Sequence, residues 1–502
     1  MRFTVILLVS PLSILASCPL SNTSGTFIPS HSAGRVNNAT GGGTYNIFIG
    51  HHSAYYNTTG KNNVALGSFA LQSNVAGNDN TAVGYQALIN NSSGLNNCAV
   101  GSLALSSNSH GDQNTATGFS ALYLNEGEEN TANGAFALYS NTSGNQNTGI
   151  GFNALRSNTT GLNNTANGSN SLYLNTTGSN NTAYGHASLL SNSEGYTNTA
   201  LGGRAMYSNT FGHHNCAVGN EALHYNIGGH SNTAIGNQAL YSCQTGYENT
   251  AVGRDALYNG NAGYSNTAVG YQVLLYNNGF GNVGIGWKAL FNTTGTSGNS
   301  ALGYRAGYNF NNVYDNTFIG NHADASGAYS SSTALGAFTS VTASNQVRIG
   351  NAATSIGGPQ NWTNTSDGRI KNNIQENVHG LDFIQLLRPV TYTKSLQKEM
   401  DIVGITNERV LQPGNPYENI RYSGFIAQEV EQAALSIGYD FSGVDAPKNE
   451  KDLYGLRYAE FVVPLVKAVQ ELSTANDEKD VLIQSLVERI ENLEMAIKNL
   501  RE

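Results

Sequence analysis

The sequence predicts a mainly β protein: a parallel β-roll, or solenoid, of 17-residue repeats, then a small α+β domain, then a coiled-coil helix. Three observations lead there. A glycine recurs at near-constant spacing from Gly50 to Gly336. The composition changes at Ser366, from almost uncharged Gly/Asn/Thr/Ala sequence to ordinary globular sequence. From Val462 onward, apolar residues return every seventh position, the signature of a coiled-coil seam.

A chain of 502 residues is long enough for several domains. Charged residues make up 11% of it, about half the usual share, and 58 glycines with Asn, Thr and Ser fill the gap. The net charge of -9 gives no reason to expect nucleic acid or an anionic membrane surface as partner. Met1 to Cys18 reads as an export signal: Arg2 is its one charge, and Phe3–Leu15 is an apolar run too short to span a bilayer comfortably. The run ends Leu15-Ala16-Ser17-Cys18, which resembles the bacterial lipobox. On that basis Cys18 becomes a lipidated N-terminus and the protein's membrane contact; the alternative is an ordinary cleaved signal. Residues 19–43 read as a linker, 44–350 as the repeat shaft, 351–365 as a neck, 366–461 as the α+β domain and 462–502 as the coiled coil.

In the shaft, 18 glycines closing Asn-Thr-Ala-Val-Gly-like stretches are separated by 14 intervals of 17 residues and three of 16. A disordered Gly-rich coil would not keep step, so stacked repeats win over disorder. Each unit has an Ala-Leu pair three and four residues past its glycine, as in Ala87-Leu88 and Ala154-Leu155. A second apolar site precedes the glycine: Val83, Val100, Ile150, Leu201. One unit is too short to fold alone; stacking aligns the Leu and Val columns into one core, with two short strands per turn. The register of the glycines implies a tight turn or a close backbone approach. Stretches such as Asn141-Thr142-Ser143-Gly144 and Asn158-Thr159-Thr160-Gly161 supply turn chemistry between units. Cys98, Cys216 and Cys243 are no disulfide framework; the first two stand where sister repeats have Thr. The strand Asn345–Gly350 closes the shaft, and Ile356–Trp362 forms the tapering neck.

The unit Asn-Thr-Ala-Val-Gly-x-x-Ala-Leu resembles the head-type repeats of trimeric surface adhesins and the shafts of phage and viral tail fibres. That resemblance implies a left-handed parallel β-roll and a homotrimer. Asp is too scarce for a calcium-binding roll, and a single Thr column disfavours an ice-binding face. A glycan or protein receptor surface on the outer face is expected, without marked residues. His51-His52 and His213-His214 sit at different phases of the repeat and read as loop residues, not a metal site; no cofactor is expected.

In the α+β domain, Leu381–Leu387 reads as a short helix, Pro389–Tyr392 as a strand, and Lys394–Pro416 as a loop or extended arm. Tyr422–Ile426 reads as a strand running into a helix, Ala427–Ala434, and Tyr454–Tyr458 leads into the C-terminal helix. There, a positions fall at Val462, Val469, Asn476, Ile483, Ile490 and Ile497, and d positions at Leu465, Leu472, Lys479, Leu486, Leu493 and Leu500. Ile at a with Leu at d favours two strands in isolated coils; the trimer expectation comes from the shaft's resemblance.

Four motifs stand in order after the shaft: Ser366-Asp367-Gly368-Arg369-Ile370-Lys371-Asn372-Asn373-Ile374, then Leu381-Asp382-Phe383-Ile384 to Pro389-Val390-Thr391-Tyr392, then Gly424-Phe425-Ile426-Ala427-Gln428-Glu429-Val430, then Tyr454-Gly455-Leu456-Arg457-Tyr458. The segment from Ser366 to about Leu500 resembles the intramolecular chaperone domain of endosialidase-type tail spikes, the peptidase S74 family. The resemblance implies a domain that trimerises, guides folding of the preceding β-structure, and cuts itself off between Thr365 and Ser366. It implies Ser366 as nucleophile and Lys371 as general base, a self-cleaving serine endopeptidase acting once. A serine hydroxyl is a poor nucleophile until a base takes its proton, and a lysine serves when withdrawal from water favours its neutral form. Asp367-Gly368 would make the bend between them, with Asp367, Gln428 and Glu429 in support. The resulting expectation is a secreted, cell-surface or virion fibre or adhesin, or else a surface-anchored structural or glycan-binding fibre whose chaperone stays uncut. The lack of a basic DNA-binding segment argues against a membrane-tethered transcription regulator. The lack of a cleft-like carboxylate pair argues against a glycan-cleaving fibre.

Overall fold

The computed structural model describes residues 43–309, 311–351, 365–404 and 419–501. The expected export signal with Cys18, and the neck stretch Ile356–Trp362, lie outside the described residues. The chain divides into two compact units after Asp315.

The first unit is a parallel β-solenoid. Its described residues include sixteen three-residue strands, from β1 (Ile47–Ile49) to β16 (Ser300–Leu302), one per turn. Up to β15, each pairs in register with the strand one repeat on, so Thr81 faces Cys98, Ala82 faces Ala99 and Val83 faces Val100. Cys98 and Cys216 do take the place of Thr in the first strand column.

Alternate side chains of a strand point to opposite faces, so a three-residue strand sends its middle residue inward and the outer two away. The buried middle residue is the alanine. This corrects the expected core. Val83, Val100, Ile150 and Leu201 do not join the leucines inside; their column runs along the outer face, with Ile150 37% and Leu201 47% exposed.

The opposite wall is the leucine column, with Leu88, Leu105, Leu122 and Leu155 fully buried. The second strand expected in each turn is absent among the described residues of this unit. Gln86 (φ 55°) and Leu88 (φ 50°) are left-handed instead. The Gln86 amide donates to Ser68 on the turn before at 3.0 Å, and the Leu88 amide to Ala104 on the turn after at 2.9 Å. The chain therefore bonds both ways along the stack without a β-ladder. A left-handed leucine costs roughly 1–2 kcal/mol. Burying its side chain returns roughly 1.5–3 kcal/mol, and the inter-turn bonds satisfy the backbone as well. The conformation holds only because neighbouring turns receive it.

The strand-closing glycine meets both expected demands. Gly84 has φ +137°, and a Cβ there would lie 2.5 Å from the carbonyl oxygen of Gly101 on the next turn.

Two buried asparagine ladders seal the core. In the one preceding the strands, the Asn80 amide donates to Asn63 Oδ1 at 3.0 Å and Asn80 Nδ2 donates to the Gly94 carbonyl at 2.8 Å. In the other, Asn74 Nδ2 donates to Asn57 Oδ1 at 2.7 Å and to the Gly77 carbonyl at 3.1 Å. Asn141 and Asn158, expected as plain turn residues, belong to this second ladder, 2.7 Å apart. A buried polar group is tolerated when its partners are supplied, and here the neighbouring repeats supply most of them.

The second unit begins with strands of the same kind. β17 (Thr317–Ile319) pairs in parallel with β19 (Thr333–Leu335), and β19 with β21 (Val347–Ile349), the expected closing strand. In this unit a second strand per turn does form, β18 (Asp324–Ala325) against β20 (Ser340–Val341).

The α+β part follows. β22 (Val390–Tyr392) and β23 (Tyr422–Gly424) pair antiparallel, as do β24 (Val444–Asp445) and β25 (Gly455–Leu456). α1 (Leu381–Ile384) is shorter than expected, with residues 385–387 continuing as turns. The arm expected from Lys394 contains a helix, α2 (Leu396–Val403); its remainder from 405 lies outside the described residues. The Ser395 hydroxyl caps α2 at the N-terminus, accepting from the Lys398 amide, and Gly404 (φ 78°) ends it left-handed. α3 (Ala427–Ser436) follows the second antiparallel strand as expected. Phe383, Val430, Ala434, Phe441 and Phe461 form the core.

α4 (Val462–Asn499) runs for 38 residues. Its first turns bury Pro464 and Ala468, while its a and d residues stay open, with Val469 63% and Ile490 54% exposed. The side packed on the domain is not the heptad seam.

Candidate active site

Residues 365–374 are shaped by one short turn. Asp367 caps a 3-10 turn, Gly368–Ile370, by accepting from the Arg369 amide at 2.9 Å. The Arg369 guanidinium closes on the same carboxylate, its Nε at 2.9 Å from Oδ2. Those contacts hold the carboxyl of Asp367 below its ordinary range, the guanidinium contributing most. The Ile370 and Lys371 amides donate back to the carbonyls of Asp367 and Gly368. A tight turn of this kind brings together side chains on either side of it, and Lys371 Nζ lies 2.8 Å from Ser366 Oγ.

The turn is therefore built by Asp367 and Arg369. Gly368 is permissive: its φ is not in the left-handed range, and a Cβ there would meet nothing within 4 Å. Thr365, Ser366 and Lys371 are all exposed in the single chain.

The other motifs meet elsewhere. The Phe425 amide donates to the Tyr458 hydroxyl at 3.1 Å. A Cβ on Gly424 would lie 2.3 Å from that hydroxyl, so the third motif needs its glycine because the fourth brings its tyrosine. Gln428 lines the adjoining cleft with Tyr392, Phe425 and Tyr458. Glu429 is held by the Arg388 guanidinium, with Nε at 3.0 Å, which ties α3 to the chain just before β22. Asp367 thus has a direct part in shaping the Ser366–Lys371 pair, while Glu429 serves the domain's own fold.

The sequence did not single out the loop 447–452. Within the second unit it reaches back to the last solenoid turns. Asp452 accepts from the Thr342 hydroxyl at 2.5 Å and from Arg348 Nη2 at 3.3 Å, and its side chain is 8% exposed. Burial would raise the Asp452 pKa, but the Thr342 hydroxyl, two backbone amides and Arg348 outweigh it and hold it low. The composition of the loop, Pro-Lys-Asn-Glu-Lys-Asp, signals only a solvated turn.

On the solenoid, His213 is not a lone loop residue. Tyr196, His213, His230, Tyr247, Tyr264 and Phe280 stack face to face, turn upon turn, at 4.8–5.1 Å. Tyr207, His224, Tyr241 and Tyr258 form a second stack at 4.9–5.1 Å. Inner rings of these stacks cover each other's faces, so they present edges rather than platforms for a sugar. Among the described residues no group of three or more His, Cys, Asp or Glu side chains is placed to hold a metal ion, and no helix is long and apolar enough to cross a membrane.

Residues 366–439 match the peptidase S74 family, described as chaperone of endosialidase. The match starts at Ser366 itself and ends before α4, so it is shorter than the resemblance drawn from the four motifs. No curated protein matches the chain.

Proposed function

We propose that the protein is a trimeric fibre or adhesin whose C-terminal domain drives folding of the shaft and then releases itself by cutting the Thr365–Ser366 bond. The observation that carries the cleavage is the 2.8 Å contact between Lys371 Nζ and Ser366 Oγ, at the first residue of the chaperone match. In this mechanism neutral Lys371 takes the Ser366 hydroxyl proton as Oγ attacks the Thr365 carbonyl carbon. The proton passes to the Ser366 nitrogen, the C–N bond breaks, and Thr365 is left as an ester on Oγ. One water then hydrolyses the ester, leaving a carboxylate on Thr365 and a free hydroxyl on Ser366. A lysine accepts a proton only when neutral, and withdrawal from water favours that form. Ser366 and Lys371 are both open to solvent in one chain, so neighbouring chains of the assembly would close over the pair before it reacts.

Two exposed apolar rows support association of copies: the Val/Ile/Leu column on the solenoid strands and the seam of α4. With the chaperone match behind a β-solenoid, they favour a secreted, cell-surface or virion fibre, with a glycan or protein receptor as its partner and Cys18 as its lipid anchor where it has one.

Expression of the full chain, mass spectrometry of its fragments and light scattering test this. The expected result is a new N-terminus at Ser366, absent in Ser366→Ala and Lys371→Ala, with uncut variants still trimeric. Intact wild-type chain in a folded trimer would sink the cleavage and leave the chaperone role; the solvent exposure of both side chains is what favours that second reading, a permanently uncut fibre. A soluble trimer from residues 19–365 alone would refute dependence on the chaperone.

A further inference from the structure

We infer that the loop 447–452 is a docking clamp that keeps the C-terminal domain seated on the last solenoid turns after the Thr365–Ser366 bond is cut. Cleavage and release would then be two separate events, and this step presupposes the cleavage proposed above. The end of a β-solenoid is an open edge whose carbonyls lack the next turn. The loop reaches that edge at Thr342 and extends to Ser326 on the turn before. Asn449 Nδ2 donates to the Thr342 carbonyl at 2.8 Å, and Lys451 Nζ donates to the Ser326 carbonyl at 3.0 Å. Asp452 takes the Thr342 hydroxyl and Arg348, so the clamp has a charged, nearly buried centre flanked by two backbone contacts.

The loop is also braced by bonds within itself. Asn449 Oδ1 accepts from the Lys451 amide at 2.9 Å, and the Asp452 amide donates to the Asn449 carbonyl at 3.1 Å. The Lys448 amide reaches Asp452 Oδ2 at 3.3 Å. A preformed turn loses little freedom on binding. The clamp is also remote in sequence from the bond that is cut, so hydrolysis there breaks none of its contacts. Truncating one partner of a buried, hydrogen-bonded charge pair acts mainly on the dissociation rate.

Size-exclusion chromatography of the cleaved full chain, with fragment masses read from each peak, is the test. The wild-type fragments should co-elute near neutral pH. Asp452→Ala should still be cut at Ser366 but dissociate about tenfold faster or more, so that its fragments separate; Lys451→Ala should show a smaller effect. Wild-type fragments that part at once, or Asp452→Ala fragments that stay together, would overturn the clamp. An uncut wild-type chain would instead overturn the cleavage. In that case hydrogen exchange on the intact chain decides the clamp: Asp452→Ala should lose protection across residues 340–349, and unchanged protection there refutes it. The same exchange profile over the domain core around Phe383 separates loss of the clamp from loss of folding.

Discussion

The solenoid turns and the α+β part solve the same problem, burying polar backbone without waste, in opposite ways. In a solenoid turn nearly every partner lies one repeat away: Asn80 on Asn63, Leu88 on Ala104, Gly84 beneath Gly101. In the α+β part the partners come from distant chain segments, as when Tyr458 holds Phe425 and Glu471 caps the Leu381 amide at 2.7 Å. A turn of the stack is stable only when a neighbour exists, so its first copy is costly and later ones are cheap. The α+β part closes a core of its own around Phe383. That difference gives a physical reason for coupling the two: a domain that folds on its own terms can present a finished edge on which the stack begins.

Substitutions can break or sharpen the contrast. The largest effect is expected at a strand-closing glycine. Gly236→Ala forces an L side chain to φ +139° with its Cβ 2.5 Å from the Gly253 carbonyl oxygen. It should cost more than about 4 kcal/mol in urea denaturation, whereas Gly368→Ala, which meets nothing, should stay within about 0.5 kcal/mol. Equal effects would erase the distinction.

The next largest is expected in the ladders. Asn175→Ala removes donors to Asn158 Oδ1 and the Gly178 carbonyl. It should cost about 1–3 kcal/mol for each group left stranded. Glu429→Ala, which breaks a solvent-exposed ion pair, should shift the urea midpoint far less than Asn175→Ala does.

Acid comes third. His224 is buried in a ring stack with Nδ1 lacking a hydrogen-bond partner. Burial lowers its pKa from the ordinary 6.5, against a backbone hydrogen bond with Arg204 and the charge of Glu221, which raise it. The unfolded chain therefore takes up this proton first. Stability should be full above 6.5 and fall as pH drops below that value through the folded one. Comparing urea midpoints of wild type and His224→Tyr, which keeps the stack, should show a shallower acid loss in the variant.

The smallest effect concerns a natural gap. Cys243 stands in the second asparagine ladder, where burial pushes its thiol up to about 12. Asn226 Oδ1, on the turn before, has no partner. Cys243→Asn alone only moves the open acceptor up one turn, since Gly260 follows, and should change stability by less than about 0.5 kcal/mol. Gly260 cannot take an asparagine freely, because a Cβ there would lie 3.0 Å from the Asn277 carbonyl oxygen and Asn277 Nδ2 already donates to Thr296 Oγ1 at 2.9 Å. Urea or thermal melts of Cys243→Asn check this; a gain above about 1 kcal/mol would show that the gap itself is costly.

Much of this was legible in residue order. Spacing alone marked the glycines, and Ser366 with Lys371 stood out through a motif whose order matched a known domain. Ser395 and Gly404 are ordinary cap signals for α2, passed over because the stretch around them is polar. The clamp loop carried no signal at all, since Asp452 acquires its role only from Thr342 and Arg348, over a hundred positions earlier.

By itself the sequence determined the period, the stacking and the leucine core. Each of these follows from local spacing, because a repeat that cannot fold alone must meet its own copy at a constant interval. Tertiary structure alone decided which apolar column lies inside. Whether Val83 or Ala82 faces the core depends on the phase of a three-residue strand relative to the leucines across the turn, and that phase is set by packing. The same holds for the buried asparagines, whose partners exist only once the next turn is in place, and for the 2.8 Å between Lys371 and Ser366, which a single capped turn creates.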